Sequence, residues 1–230
     1  RFSIKRIKEF RVNMNMQKSI LDIGFPAGIE AFVFNIGKFV QQIFIISLGT
    51  VSIAANTISW SIFSLLTIPG QALSIVATVM VGRFIGMDNY AEAKNINFYL
   101  IKLSTVSMLV LSVLVFPLAY VISSAYSSDF QVLSLTTRII QICAVMIPIL
   151  WPMSFIIPAG LRGAGDTKFA MYFSVVSLWV FRVFIGYIIA IVFRVGVLGF
   201  WIGMYCDWAA RGIVYYLRLN GDRWRRKQLV

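Results

Sequence analysis

DIGFPAGIEAFVFNIGKFVQQIFIISL, residues 22–48, is apolar enough to cross a bilayer, yet it carries Glu30, Asn35, Lys38, Gln41 and Gln42. A charged side chain at bilayer depth costs about 2.5–3.5 kcal/mol on insertion scales. Such residues therefore turn towards a bundle interior or an aqueous cavity, where they mark a substrate or ion path. At about 100° per residue from Glu30, Gln41 falls at roughly 20°, Lys38 at roughly 80°, Gln42 at roughly 120° and Asn35 at roughly 140°. The polar groups thus share one half of the helix. Phe32, Val33, Ile36, Phe39, Val40, Ile43 and Phe44 cover the other half, as a lipid-facing surface requires.

Working outward, apolar stretches at about 54–82, 96–122, 131–157, 169–193 and 196–217 bring the number of spans to six. Each can cross about 30 Å of hydrocarbon as a tilted helix. Spanning backbone must satisfy its own hydrogen bonds, which leaves helices or a closed barrel. The alternation of polar and apolar residues that a barrel strand needs is absent, so the fold class is all-α, a polytopic membrane protein with a six-helix transmembrane bundle. With 59% hydrophobic and 13% charged residues, little remains for a water-soluble domain. Residues 1–21 read as a cytoplasmic basic connector, 22–217 as the transmembrane lobe and 218–230 as a basic cytoplasmic tail. Phe2, Ile4, Ile7 and Phe10, set among basic residues, suit either a short interfacial helix or a solvated connector.

The net charge of +12 does not point to nucleic acid, because the cations flank the spans instead of interleaving with aromatics on a polar surface. The N-terminal segment, the 82–93 and 161–168 connections and the C-terminal tail hold most of them. Arg194 stands alone in an outer loop. This asymmetry places both termini in the cytoplasm of a cell-membrane protein. Lys38, Arg138, Arg182 and Arg211 lie within spans. There is no His, and Cys143 and Cys206 fall inside spans as packing groups, so neither a metal cluster nor a disulfide framework is implied. No phosphate loop or nucleophile elbow appears either, which disfavours an enzyme. The chain lacks an initiator Met and a signal-peptide cleavage pattern, so Arg1 reads as the start of a piece whose upstream part is missing.

Proline and glycine predict breaks at Pro26–Gly28 and Pro69–Gly70, and a kink where Pro148, Pro152 and Pro158 surround Trp151. In the last hairpin, Arg182 and Asp207 are equidistant from the turn at 194–195, which sets them at similar depth. Arg211 lies one turn beyond Asp207, at the spacing where side chains meet. A structural ion pair of Asp207 with Arg182, shared with Arg211, is the expectation. For Glu30 and Lys38, about 12 Å apart along the axis, two readings stay open. They hold the bundle together through partners on neighbouring helices, or Glu30 forms an energised ion or substrate site with no obligatory cation beside it.

Several runs now carry a resemblance: GFPAGIEAFVFNIGKFVQQ at 24–42, LGTVSIAANTI, IPGQALSIVATVMVGRFIGMDNYAEAK, LRGAGDTKFAMYFSVVSLWVFRV and GVLGFWIGMYCDWAARGIVYYLR. Together, from Gly24 onward, they resemble the MATE family of multidrug and toxin extrusion transporters, in particular its Firmicute-type bacterial members. The resemblance implies one lobe, the C-terminal one, of a twelve-helix antiporter. Such a protein exports organic cations and other amphiphiles in exchange for Na⁺ or H⁺. The missing partner would be an N-terminal six-helix lobe. Many members carry a carboxylate two turns after a Pro-x-Gly element on this lobe's first helix; here that position is Phe34, while Glu30 comes one turn after Pro26. Some members carry an Asp on the fourth span, where this chain has no acidic residue between Gln131 and Ile157.

The expected function is therefore cation-coupled export of drugs and toxic organic cations. Glu30 is the coupling residue, and Asn35, Lys38, Gln41 and Gln42 line the cavity. No cofactor is expected beyond Na⁺ or H⁺ as coupling ion, and the partners are membrane lipid and an amphiphilic or cationic small molecule. Two other classes stay open: a lipid or lipid-linked saccharide flippase, which needs a cavity rich in cations such as Lys38, Arg138, Arg182 and Arg211, and a non-transporting membrane scaffold.

Overall fold

A computed structural model of the chain describes residues 14–221 and 224. The expected interfacial segment at Phe2–Phe10 and most of the basic tail lie outside the described residues. Six helices follow one another: α1 (Met14–Ile46), α2 (Thr50–Gly86), α3 (Tyr90–Ser124), α4 (Phe130–Gly163), α5 (Thr167–Val192) and α6 (Val197–Asn220). No strand occurs among the described residues. The first five helices are long and apolar enough to span a membrane by length and composition. The sixth, which carries Asp207, Arg211 and Arg218, falls outside that set.

Local chemistry fixes where these helices begin. The Asn89 side chain accepts from the Glu92 amide at 3.1 Å, and Asp129 Oδ1 accepts from Gln131 N at 2.8 Å and Val132 N at 3.1 Å. Both carboxamide and carboxylate satisfy amides that have no partner inside the helix. The α1–α2 and α5–α6 turns use positive-φ backbone at Gly49 (φ 92°) and Gly196 (φ 74°), which glycine adopts at little cost.

The prolines do not break the helices. α1 begins at Met14, earlier than expected, and is helical through Pro26; α2 is continuous through Pro69, and α4 through Pro148, Pro152 and Pro158. A proline removes one amide from the ladder, but in lipid the rest of the ladder has no water to fall back on, so the helix persists.

α4 is the centre of the lobe, with Ile139, Cys143, Ile147, Trp151 and Ile156 buried, and it packs against α2, α3 and α6. α1 rests mainly on α5 and touches α2 lightly. α2 and α4 approach closely at Gly163, where a Cβ would run into the Thr78 carbonyl oxygen and lie 3.1 Å from Thr78 Cα. Thr78 Oγ1 also donates to Ala159 O at 3.0 Å, binding the two helices there.

The fifth helix changes winding partway along. It is α-helical over Thr167–Ser177 and then hydrogen-bonds i→i+5 over Leu178–Ile185 and Ile188–Val192. This wider winding determines where Arg182 points.

Candidate functional site

The polar half of α1 faces two compartments that share Asn35 and Lys38 as a common wall. The first, about 350 Å³, lies between α1, α2 and α5, with Lys38, Gln41, Gln42, Asn56, Trp60 and Arg182 on its walls. The second, about 420 Å³, is bounded by Glu30, Phe34, Phe155, Arg162, Ser174 and Arg211. On the opposite half of the helix, Phe32, Ile36, Ile43 and Ile46 are exposed. Gly37 packs against Leu178 of α5, so the buried stripe of α1 runs along Gly37, Gln41 and Ile45.

Glu30 has a cation beside it, supplied by a neighbouring helix, as the first of its two open readings requires. Arg162 Nη1 donates to Glu30 Oε2 at 3.3 Å, and both side chains keep partial exposure, 31% for Arg162 and 17% for Glu30. The sequence places Arg162 in the 161–168 connection; α4 continues to Gly163, and its last turn carries the guanidinium to Glu30 of α1.

The expected Arg182–Asp207 pair is also replaced. Arg182 Nε donates to Gln41 Oε1 at 3.0 Å, whereas Asp207 Oδ1 accepts from Arg211 Nε at 2.8 Å and from Ser177 Oγ at 2.5 Å. Counting residues from the turn assumed one uniform helical gauge. The i→i+5 winding of 178–185 changes both the depth and the direction of Arg182, and turns it onto α1. Arg211, the same-helix neighbour, keeps the carboxylate, and its Nη2 donates to Ser174 O at 3.1 Å.

Phe34 is the residue on which the cations converge. Lys38 Nζ lies 4.9 Å from its ring centroid, and the Arg182 and Arg211 guanidinium carbons lie at 5.5 and 5.6 Å. Trp60 adds a second aromatic face, 5.7 Å from Lys38 and 5.5 Å from Arg182. Such contacts are favourable, by about 0.5–2 kcal/mol according to desolvation. Arg138, by contrast, is exposed and borders neither compartment.

Of the expected cavity residues, Gln41 and Gln42 border the first compartment, and Asn35 and Lys38 border both. Asn35 Nδ2 donates to its own helix, at Ala31 O, 2.9 Å away, which leaves its oxygen free. Sequence reasoning missed Phe34, Asn56, Trp60 and Arg162. Phe34 was detectable, since at about 40° from Glu30 it sits inside the polar half. The other three lie on α2 and α4, whose rotation relative to α1 no single-helix pattern reveals. Among the described residues no group of three or more His, Cys, Asp or Glu could hold a metal ion.

The MatE family matches residues 26–188. The chain is similar to a probable multidrug resistance protein NorM from Thermotoga maritima, 26% identical over 93% of this chain and 46% of that protein. A NorM relative from Bacillus anthracis is 28% identical over 91% of this chain and 46% of its own length. A solved structure of the outward-facing conformation of a multidrug resistance MATE family transporter superposes with a TM-score of 0.84, at 20% identity, over 93% of this chain and 48% of that one. The chain therefore spans about half the length of the relatives it matches. It belongs to the MATE family, whose members are multi-pass membrane transporters and not enzymes.

Proposed function

We propose that this chain is the C-terminal lobe of a drug exporter driven by entry of Na⁺ or H⁺. In this reading residues 22–217 form the lobe, and residues 1–21 and 218–230 are cytoplasmic connector and tail in the cell membrane. The two compartments open towards a second six-helix lobe. The carrying observation is the Glu30–Arg162 contact, a half-exposed ion pair between α1 and α4 on the wall of a drug-sized cavity.

A proton or Na⁺ on Glu30 removes the charge that holds Arg162. The link between α1 and α4 is then released, and the freed guanidinium repels further cations. Loss of the coupling ion restores the pair. An exchange of this kind biases two arrangements of the lobe, which is what coupled transport requires. The apolar part of an amphiphilic drug would rest on Phe34, Phe155 and Trp60. A cationic drug would compete with both the coupling ion and Arg162 for Glu30.

The test uses protein expressed from the complete reading frame and reconstituted in vesicles, with ethidium flux followed under an imposed Na⁺ or H⁺ gradient. Glu30→Gln should abolish gradient-driven flux while leaving the protein folded and inserted. Wild-type flux in that variant would leave Glu30 a structural residue and overturn its role in coupling.

A further inference from the structure

We infer that the first compartment is an anion subsite, which receives the carboxylate or phosphate group of an amphiphilic solute. The inference refines the substrate of the exporter proposed above. The charge that the site selects follows from three separate features of its wall.

The first is the charge inventory. Glu30 and Arg162 neutralise each other at the far end of the second compartment. Around Phe34 stand Lys38, Arg182 and Arg211, and the one carboxylate among them, Asp207, is already held by Arg211. Asp207 Oδ2 has no hydrogen bond, but a turn of Arg182 towards it would only share that one carboxylate between two guanidinium groups. The positive surplus stays, and no acidic residue lines the first compartment.

The second feature is the direction of the hydrogen bonds. Arg Nε and Trp Nε1 can only donate. Arg182 Nε therefore fixes the Gln41 oxygen as its acceptor, and Trp201 Nε1, at 3.2 Å, does the same for Asn56 Oδ1. Each amide has its oxygen engaged and its NH₂ left to offer. Two side chains that could have been acceptors thus join Lys38 and Arg182 as donors.

The third feature is an unmet requirement. Arg182 is 2% exposed, and its Nη2 has no hydrogen-bond partner. A buried guanidinium donor left unpaired is costly, and the pairing it favours most is with a carboxylate or phosphate oxygen. Lys38 likewise makes no ion pair or hydrogen bond among the described residues, and it lines the same compartment as Arg182. Trp60 offers a flat apolar surface beside both cations for the body of the solute. The acid group can come from a soluble amphiphile or from a lipid headgroup, since both present the same oxygens.

The experiment places protein from the complete reading frame in phosphatidylcholine nanodiscs and titrates it with 1-pyrenebutyrate and with the methyl ester of the same acid. Wild type should bind the acid at least about tenfold more tightly than the ester, the scale of one charge-assisted hydrogen bond. Lys38→Gln and Arg182→Gln should each weaken acid binding about tenfold and leave the ester unmoved. Lys38→Arg should keep the preference, and Arg138→Gln should match wild type. Lys38→Gln guards against a folding defect in the buried Arg182 variant, because Lys38 gives up no hydrogen bond. Equal binding of acid and ester by wild type, or an intact preference in Lys38→Gln, overturns the subsite. Phosphatidylglycerol added to the disc separates the sources: weaker acid binding assigns the site to a headgroup, and unchanged binding to the soluble acid. Absence of gradient-driven ethidium flux would count against the exporter reading alone, since the acid–ester comparison needs no transport.

Discussion

Arg162 Nη1 stands 3.3 Å from Glu30 Oε2, joining the last turn of α4 to the cavity face of α1. Because both partners are partly exposed, the pair contributes little to stability, on the order of 0–1 kcal/mol. Arg162→Gln should therefore leave the melting temperature in detergent nearly unchanged and yet uncouple dye flux from the imposed gradient. Glu30→Asp, which keeps the charge but shortens the reach, should retain part of the flux. A large drop in stability for Arg162→Gln would show that the contact is structural.

The Asp207–Arg211 pair behaves differently because it is buried, with side-chain exposures of 0% and 3%. Removing one member strands the other's charge. Asp207→Asn or Arg211→Gln should each cost about 3–5 kcal/mol, and the double variant less than the sum. Detergent unfolding of the two singles and the double measures the coupling. Simple additivity would argue against direct pairing, and the same cycle run on Asp207 with Arg182 should give the weaker coupling.

At Gly163 a methyl group has nowhere to go, because the atoms it meets belong to the Thr78 backbone and not to a flexible side chain. Gly163→Ala should force α2 and α4 apart at a cost of about 1–3 kcal/mol. Gly86→Ala is the matched control, since nothing lies within 4 Å of the added Cβ. Equal stability of the two variants would contradict the packing.

Cysteine scanning along α1 separates its faces. Cysteines at Asn35, Lys38 and Gln42 should react with a water-soluble maleimide, and those at Phe32, Ile36 and Ile43 should not. The reverse pattern would put the polar half against lipid and remove the basis for the cavity.

The helix count could be read from composition and periodicity, since each helix is set by residues near one another in the chain. The contacts that define the cavity could not. Arg162 reaches Glu30 and Arg182 reaches Gln41 only after separate helices have been rotated against each other, and one sequence contains no record of that rotation. The breaks expected at Pro26–Gly28 and Pro69–Gly70 leave α1 and α2 continuous, because each proline removes one amide and the remaining ladder holds. The Arg182–Asp207 expectation failed on a hidden premise, that every helix is wound alike.

That premise has an evolutionary counterpart. Leu178–Ile185 and Ile188–Val192 are wound with the wider gauge, and Arg182 sits inside the first of them, aimed at one atom of Gln41. A one-residue insertion in an α-helix turns everything beyond it by about 100° relative to what precedes it. Upstream of Arg182 in α5, it would swing the guanidinium by about 100°, out of its compartment and into the neighbouring helix or the lipid. An insertion upstream of Arg182 in α5 should therefore remove its hydrogen bond to Gln41.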